Sequence, residues 1–117
     1  MGQLTTHVLD VSAGLPASGL RIEVQEWPPA GPPCGVSATT GVDGRLSAPL
    51  LSGERLRAGR YALTFHIASY FRGRGVVLPE PAFLEEAVIR IGIADPSQHY
   101  HVPLLIAPWS YCVYRGG

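Results

Sequence analysis

Three histidines and one arginine carry the chemistry in this chain. His99 and His101 sit two residues apart, His7 lies near the start, and Arg45 follows a glycine-flanked turn, Gly41-Val42-Asp43-Gly44. An imidazole, with an unperturbed pKa of ~6.5, is the side chain suited to trade protons near neutral pH. A guanidinium offers a planar set of donors that can grip a carbonyl or enolate oxygen and stabilise charge as a tetrahedral intermediate forms. The polar terminus Tyr114-Arg115-Gly116-Gly117 follows two short apolar runs. Chain ends usually fray, so a Tyr and an Arg there mark the tail as part of a site.

Each residue also has a plainer reading. A single histidine on a strand is most often a surface or interface residue, and an arginine after a turn is most often a solvated strand-end charge worth ~0–1 kcal/mol in an ion pair. Tyr114 alone could be packing. His7 with His99 and His101 also admits a three-histidine zinc site, because alternate strand residues can chelate one ion. The sequence offers these imidazoles no clear acidic partner, so neither a metal nor a cofactor is expected.

The elements that must position these groups read as strands. Period-two alternation with turn punctuation runs along the chain, and no long stretch shows a helical stripe. Strands are expected over Leu4 to Val11, Leu20 to Trp27, Gly35 to Thr40, Leu46 to Leu50, Gly59 to Ile67, Glu86 to Ala94, Tyr100 to Ala107 and Ser110 to Arg115. Ser12 to Gly19 reads as a loop, as does Pro28 to Pro33, which cannot donate ladder hydrogen bonds. Ala68 to Gly73 reads as one helical turn. About eight short strands with one short helix predict an all-β fold, an antiparallel β-sandwich.

Strand parity then sorts the side chains. Val102, Leu104 and Ile106 form an all-aliphatic set that belongs in the core, which turns His101, Pro103 and Leu105 outward. A face combining a histidine with Leu105 and a proline suits a subunit interface or ligand channel. Thr5, His7 and Leu9 share one face of the first strand, and Cys112 and Tyr114 share one face of the last. If these strands adjoin, His7, His101 and Tyr114 converge.

Composition narrows the function classes. The 117 residues fit a single domain over 1–117, small enough that a sizeable pocket needs a partner subunit to close it. Nine Lys and Arg balance nine Asp and Glu, scattered along the chain, which leaves no electrostatic footprint for nucleic acid or an anionic membrane. The start shows no export signal and no run approaches the ~18 apolar residues of a bilayer span, so a soluble, cytoplasmic protein is expected. Cys34 and Cys112 are expected as free thiols in that compartment.

Over essentially its whole length the chain resembles the 5-hydroxyisourate hydrolases, the transthyretin-related branch of the transthyretin fold. The resemblance rests on Leu4-Thr5-Thr6-His7-Val8-Leu9-Asp10, on Thr40-Gly41-Val42-Asp43-Gly44-Arg45, on His99-Tyr100-His101-Val102-Pro103-Leu104-Leu105 and on Tyr114-Arg115-Gly116. It departs at Gly117, where the family ends in Ser, and at Cys112, where a small hydroxyl residue is common. The resemblance implies a transthyretin-like homotetramer, a dimer of dimers with sites at the subunit interface. It also implies ring-opening amide hydrolysis of 5-hydroxyisourate to 2-oxo-4-hydroxy-4-carboxy-5-ureidoimidazoline in urate and purine breakdown. By the same resemblance His7, Arg45 and His101 are catalytic, the two histidines activating water and moving protons and Arg45 stabilising charge; His7, Arg45 and Tyr114 bind substrate, and His99 and Arg115 support them. A non-catalytic carrier of a small aromatic ligand and a β-sandwich binding module are the competing readings.

Overall fold

The computed structural model describes residues 2–29 and 35–116. Most of the proline-rich loop, Cys34 and Gly117 lie outside that range, and with them the question of a Cys34–Cys112 bond; Cys112 itself is exposed. Nine strands form among the described residues: β1 (Gln3–Asp10), β2 (Leu15–Pro16), β3 (Arg21–Glu26), β4 (Val36–Thr39), β5 (Leu51–Ser52), β6 (Gly59–Phe65), β7 (Ala87–Ile93), β8 (Tyr100–Ala107) and β9 (Ser110–Val113). A single 3-10 turn, Gly53–Arg55, precedes β6, and one α-helix among the described residues, α1 (Ile67–Gly73), follows it.

The strands form two sheets, one ordered β2-β1-β8-β9 with β5 also on β1, the other β4-β3-β6-β7. Their facing sides carry the alternating apolar sets. Leu4 and Val8 of β1 and Leu104 and Ile106 of β8 are fully buried against Ile22, Leu63 and Phe65 of the second sheet. Each such aliphatic side chain contributes about 1.5–3 kcal/mol relative to exposure. The core therefore fixes which way the odd-numbered residues of both strands point: Thr5, His7, His101 and Pro103 face away from the sandwich interior.

β1 and β8 pair in parallel, with Thr5 opposite His101 and His7 opposite Pro103. All the other ladders between strands are antiparallel. Parallel neighbours need a crossover, and here nearly the whole chain lies between the two strands. The far end of β1 is locked by Asp10, a buried carboxylate. It accepts from Tyr70 Oη of α1 at 2.9 Å, Ser12 Oγ at 2.6 Å and Ala13 N at 3.1 Å. Arg74 Nε stands 3.8 Å away, so the charge is both hydrogen-bonded and paired.

Several boundaries differ from the sequence reading. Leu46 to Leu50 is not a strand. Pro49 has no N–H to donate to a ladder, and pairing with β1 is limited to an isolated bridge at Arg45 and the short β5. The expected loop over Ser12 to Gly19 contains β2, whose Pro16 sits on a sheet edge where no ladder donor is required. The helix begins one residue earlier, at Ile67, because Ile67, Ala68, Tyr70 and Phe71 all bury against the sandwich. β9 ends at Val113, but the tail keeps following β8 through Tyr114 N to Pro103 O at 3.4 Å and Gly116 N to His101 O at 2.8 Å. Among the described residues no helix is long and apolar enough to cross a membrane.

Candidate active site

The outward face of β1 and β8 is walled on one side by the Gly41–Arg45 turn and on the other by the tail. The turn is tightly specified. Gly44 N donates to Gly41 O at 2.9 Å and Gly41 N to Arg45 O at 2.8 Å. Asp43 Oδ1 accepts from Arg45 N at 3.0 Å, the side-chain turn that Asp favours. Gly44 takes a φ of +78° and is buried against β1, where its carbonyl accepts from Val8 N at 3.0 Å. An added Cβ there would overlap the Val8 carbonyl oxygen. Gly44 is thus needed for both its conformation and its close approach. The result is a single antiparallel bridge between His7 and Arg45, which carries the guanidinium to the edge of the histidine face.

On the other side Gly116 lies against His101. A Cβ on Gly116 would sit 2.7 Å from His101 Cδ2 and 3.1 Å from Pro103 Cγ, so only glycine lets the tail pass this closely. Arg115 clasps the tail in place, its guanidinium 4.3 Å from the centroid of the Tyr100 ring. The same Nη2 donates to Gln98 Oε1 and His99 O, each at 3.2 Å. Such a stack is worth ~0.5–1 kcal/mol at an exposed site.

On this face lies an open groove of about 750 Å³ whose lining includes Gln3, Thr5, Arg45, Ser47, His99 and His101. That volume suits a small heterocycle. Burial is the main cause holding His101 below the usual histidine pKa, followed by the positive charge of Arg45 and then by His7. At neutral pH the imidazole is therefore an unprotonated base in a groove that also holds a fixed cation.

The structure brings His7, Arg45 and His101 to one face, and His99 onto the same groove. His7 flanks the groove without lining it, and its Nε2 lies 3.1 Å from Asp43 O. A carbonyl only accepts, so Nε2 carries the proton and the lone pair of neutral His7 is on Nδ1. Tyr114 follows Pro103 on the His101 side, yet its ring is exposed and does not line the groove of a single chain. His101 is not held by His99: its Nδ1 is 2.8 Å from Thr5 Oγ1. Among the described residues no group of three or more His, Cys, Asp or Glu side chains is disposed to hold a metal ion. Thr5, Asp43 and Gly116 were not singled out by the sequence reading. Strand parity already put Thr5 on the histidine face; the missing information was the register that sets it opposite His101.

Residues 4–116 match the HIUase/Transthyretin family. The chain is 50% identical over 116 residues to the 5-hydroxyisourate hydrolase of Pseudomonas aeruginosa, covering 99% of this chain and 92% of that protein. The solved 5-hydroxyisourate hydrolase of Klebsiella pneumoniae is 31% identical and superposes with a TM-score of 0.81, with both chains covered in full. The crystal structure of (S)-allantoin synthase superposes with a TM-score of 0.90 at 40% identity; 99% of this chain is covered, spanning 44% of that longer one. With its two-sheet sandwich, its histidine face and a match along nearly all of its length, this chain belongs to the HIUase/Transthyretin family.

Proposed function

We propose that this protein hydrolyses 5-hydroxyisourate, the reaction for which its relatives in Pseudomonas aeruginosa and Klebsiella pneumoniae are named. The observation that carries the reading is the pairing of a neutral, partly buried His101 with the Arg45 guanidinium in one groove. Ring opening requires water to add to a carbonyl carbon. His101 takes a proton from that water as the new C–O bond forms, and Arg45 holds the carbonyl oxygen as negative charge builds on it. The C–N bond then breaks, and the imidazolium returns the proton to the departing nitrogen. His7, with its Nε2–H committed to Asp43 O, adds a second polar edge beside Arg45.

The groove of one chain is open to solvent, and charge stabilisation strengthens when water is excluded. Closure by further copies, a homotetramer with sites at the subunit interfaces, supplies that exclusion and brings Tyr114 of the tail over the site. The test generates 5-hydroxyisourate in situ from urate and follows decay of its ultraviolet band. The wild-type protein accelerates the decay, and His101→Ala lowers kcat by about 10²–10⁴-fold, the usual worth of general acid–base catalysis. Ligand binding without turnover, or an unchanged kcat in His101→Ala, would refute the proposal.

A further inference from the structure

We infer that Thr5 is a positioning residue for His101: its hydroxyl oxygen accepts from Nδ1–H, and this leaves the Nε2 lone pair facing the groove. The inference rests on the hydrolytic reading of the same site and deepens it by naming the nitrogen that acts as base.

A parallel register places Thr5 directly opposite His101, and Oγ1 and Nδ1 are 2.8 Å apart across the two strands. The adjacent Thr6 shows that this is a side-specific arrangement. Thr6 points to the interior and donates to Val102 O at 2.7 Å, so its hydroxyl is occupied in tying the same two strands together. Thr5, half-buried on the groove side, has no second partner among the described residues. A threonine hydroxyl can donate or accept. If it donated to Nδ1, the ring would present Nε2–H to the groove and could not take a proton from water.

The reaction proposed for the groove decides between the two. With Nδ1 engaged by Thr5 Oγ1, Nε2 is the ring nitrogen left to act, and it can accept a proton only in the tautomer whose hydrogen sits on Nδ1. In that tautomer the N–H meets the Thr5 oxygen, and the Nε2 lone pair takes the proton of the water to be activated. With Nδ1–H accepted, the Thr5 O–H is released toward the groove, where it can donate to that water or to a substrate carbonyl. His7 is fixed in the opposite tautomer by Asp43 O. The two imidazoles of the face therefore present different nitrogens, and only the one partnered by Thr5 lines the groove.

The test reads the tautomer directly. In ¹⁵N-labelled protein above the titration of His101, long-range ¹H–¹⁵N spectra of wild type should show a protonated Nδ1 and an unprotonated Nε2 on His101. Thr5→Val is nearly isosteric and keeps the strand-forming branch at Cβ; it should move the ring toward the Nε2–H form. It should also lower kcat about three- to tenfold, the worth of one hydrogen bond, at unchanged KM. Thr5→Ser, which keeps the hydroxyl, should restore both signatures. An Nε2–H form in wild type, or an unaltered His101 signature in Thr5→Val, overturns the inference. Because the spectra need no substrate, that result is separate from a failure of the wild-type protein to hydrolyse 5-hydroxyisourate, which would remove the proposed reaction instead.

Discussion

Gly44→Ala is the substitution that most directly asks whether the turn, and not merely Arg45, builds the site. The added methyl would overlap the Val8 carbonyl oxygen and stand 3.2 Å from Pro16 Cβ and 3.3 Å from His7 Cδ2. Val8 belongs to the fully buried core of β1, so the strand cannot yield. If the turn stayed docked, the left-handed φ would cost about 1–2 kcal/mol and the overlap about 1–3 kcal/mol more. The alternative is for the turn to lift by about 1 Å, enough to restore ordinary contact. That movement stretches the Val8 N to Gly44 O bond, takes Asp43 O away from His7 Nε2, and shifts the Arg45 guanidinium. Displacements of about 1 Å in a positioning group cost on the order of 10²-fold in rate. The expected outcome is a kcat/KM reduced by about two orders of magnitude, with a loss in melting temperature of several degrees that lifting of the turn keeps modest. The decay of 5-hydroxyisourate and a thermal melt measure the two effects. A Gly44→Ala protein with wild-type kcat/KM would show that the docked turn does not position the reacting groups.

Two further outcomes follow from the same geometry. Arg45→Gln removes the second-largest influence depressing the His101 pKa while leaving burial, the largest, in place. The acid limb of the pH–rate profile, below which His101 is protonated and inactive, should move to higher pH without losing all of its depression, and KM should rise. A limb that stays put would separate Arg45 from His101. Gly116→Ala puts a methyl 2.7 Å from His101 Cδ2. It should lower kcat by about tenfold or more through displacement of the ring or the tail, while the melting temperature changes little because the tail is bound by exposed contacts; a rate equal to wild type would detach the tail from the site.

Much of this arrangement is legible in the bare sequence because a two-residue period records which side chains face the core. The alternation in Leu4 to Asp10 and Tyr100 to Ala107 puts His7 and His101 on outward faces without any structure. Direction is not recorded in that way: parallel and antiparallel ladders leave the same alternation, so the pairing of Thr5 with His101 was invisible. Two-residue strands such as Leu15–Pro16 and Leu51–Ser52 are too short to show a period. Conversely, Leu46 to Leu50 alternates by chance, and Pro49 decides against it. The environment of Arg45 depended on a turn whose Gly44 docks through a backbone carbonyl, a contact that leaves no mark in residue type beyond the glycine itself. Tyr114 lies past the end of β9, where alternation no longer assigns its ring a side, and the ring does not line the groove.

The parallel ladder joining β1 to β8 ties together residues 96 positions apart, as in the Thr5–His101 hydrogen bond. A ribosome making this chain places Thr5 in β1 long before it places His101 in β8, and no product that ends before residue 101 carries both. A nascent chain therefore packs its earlier strands while still lacking the hydrogen bond that joins the two sides of the histidine face.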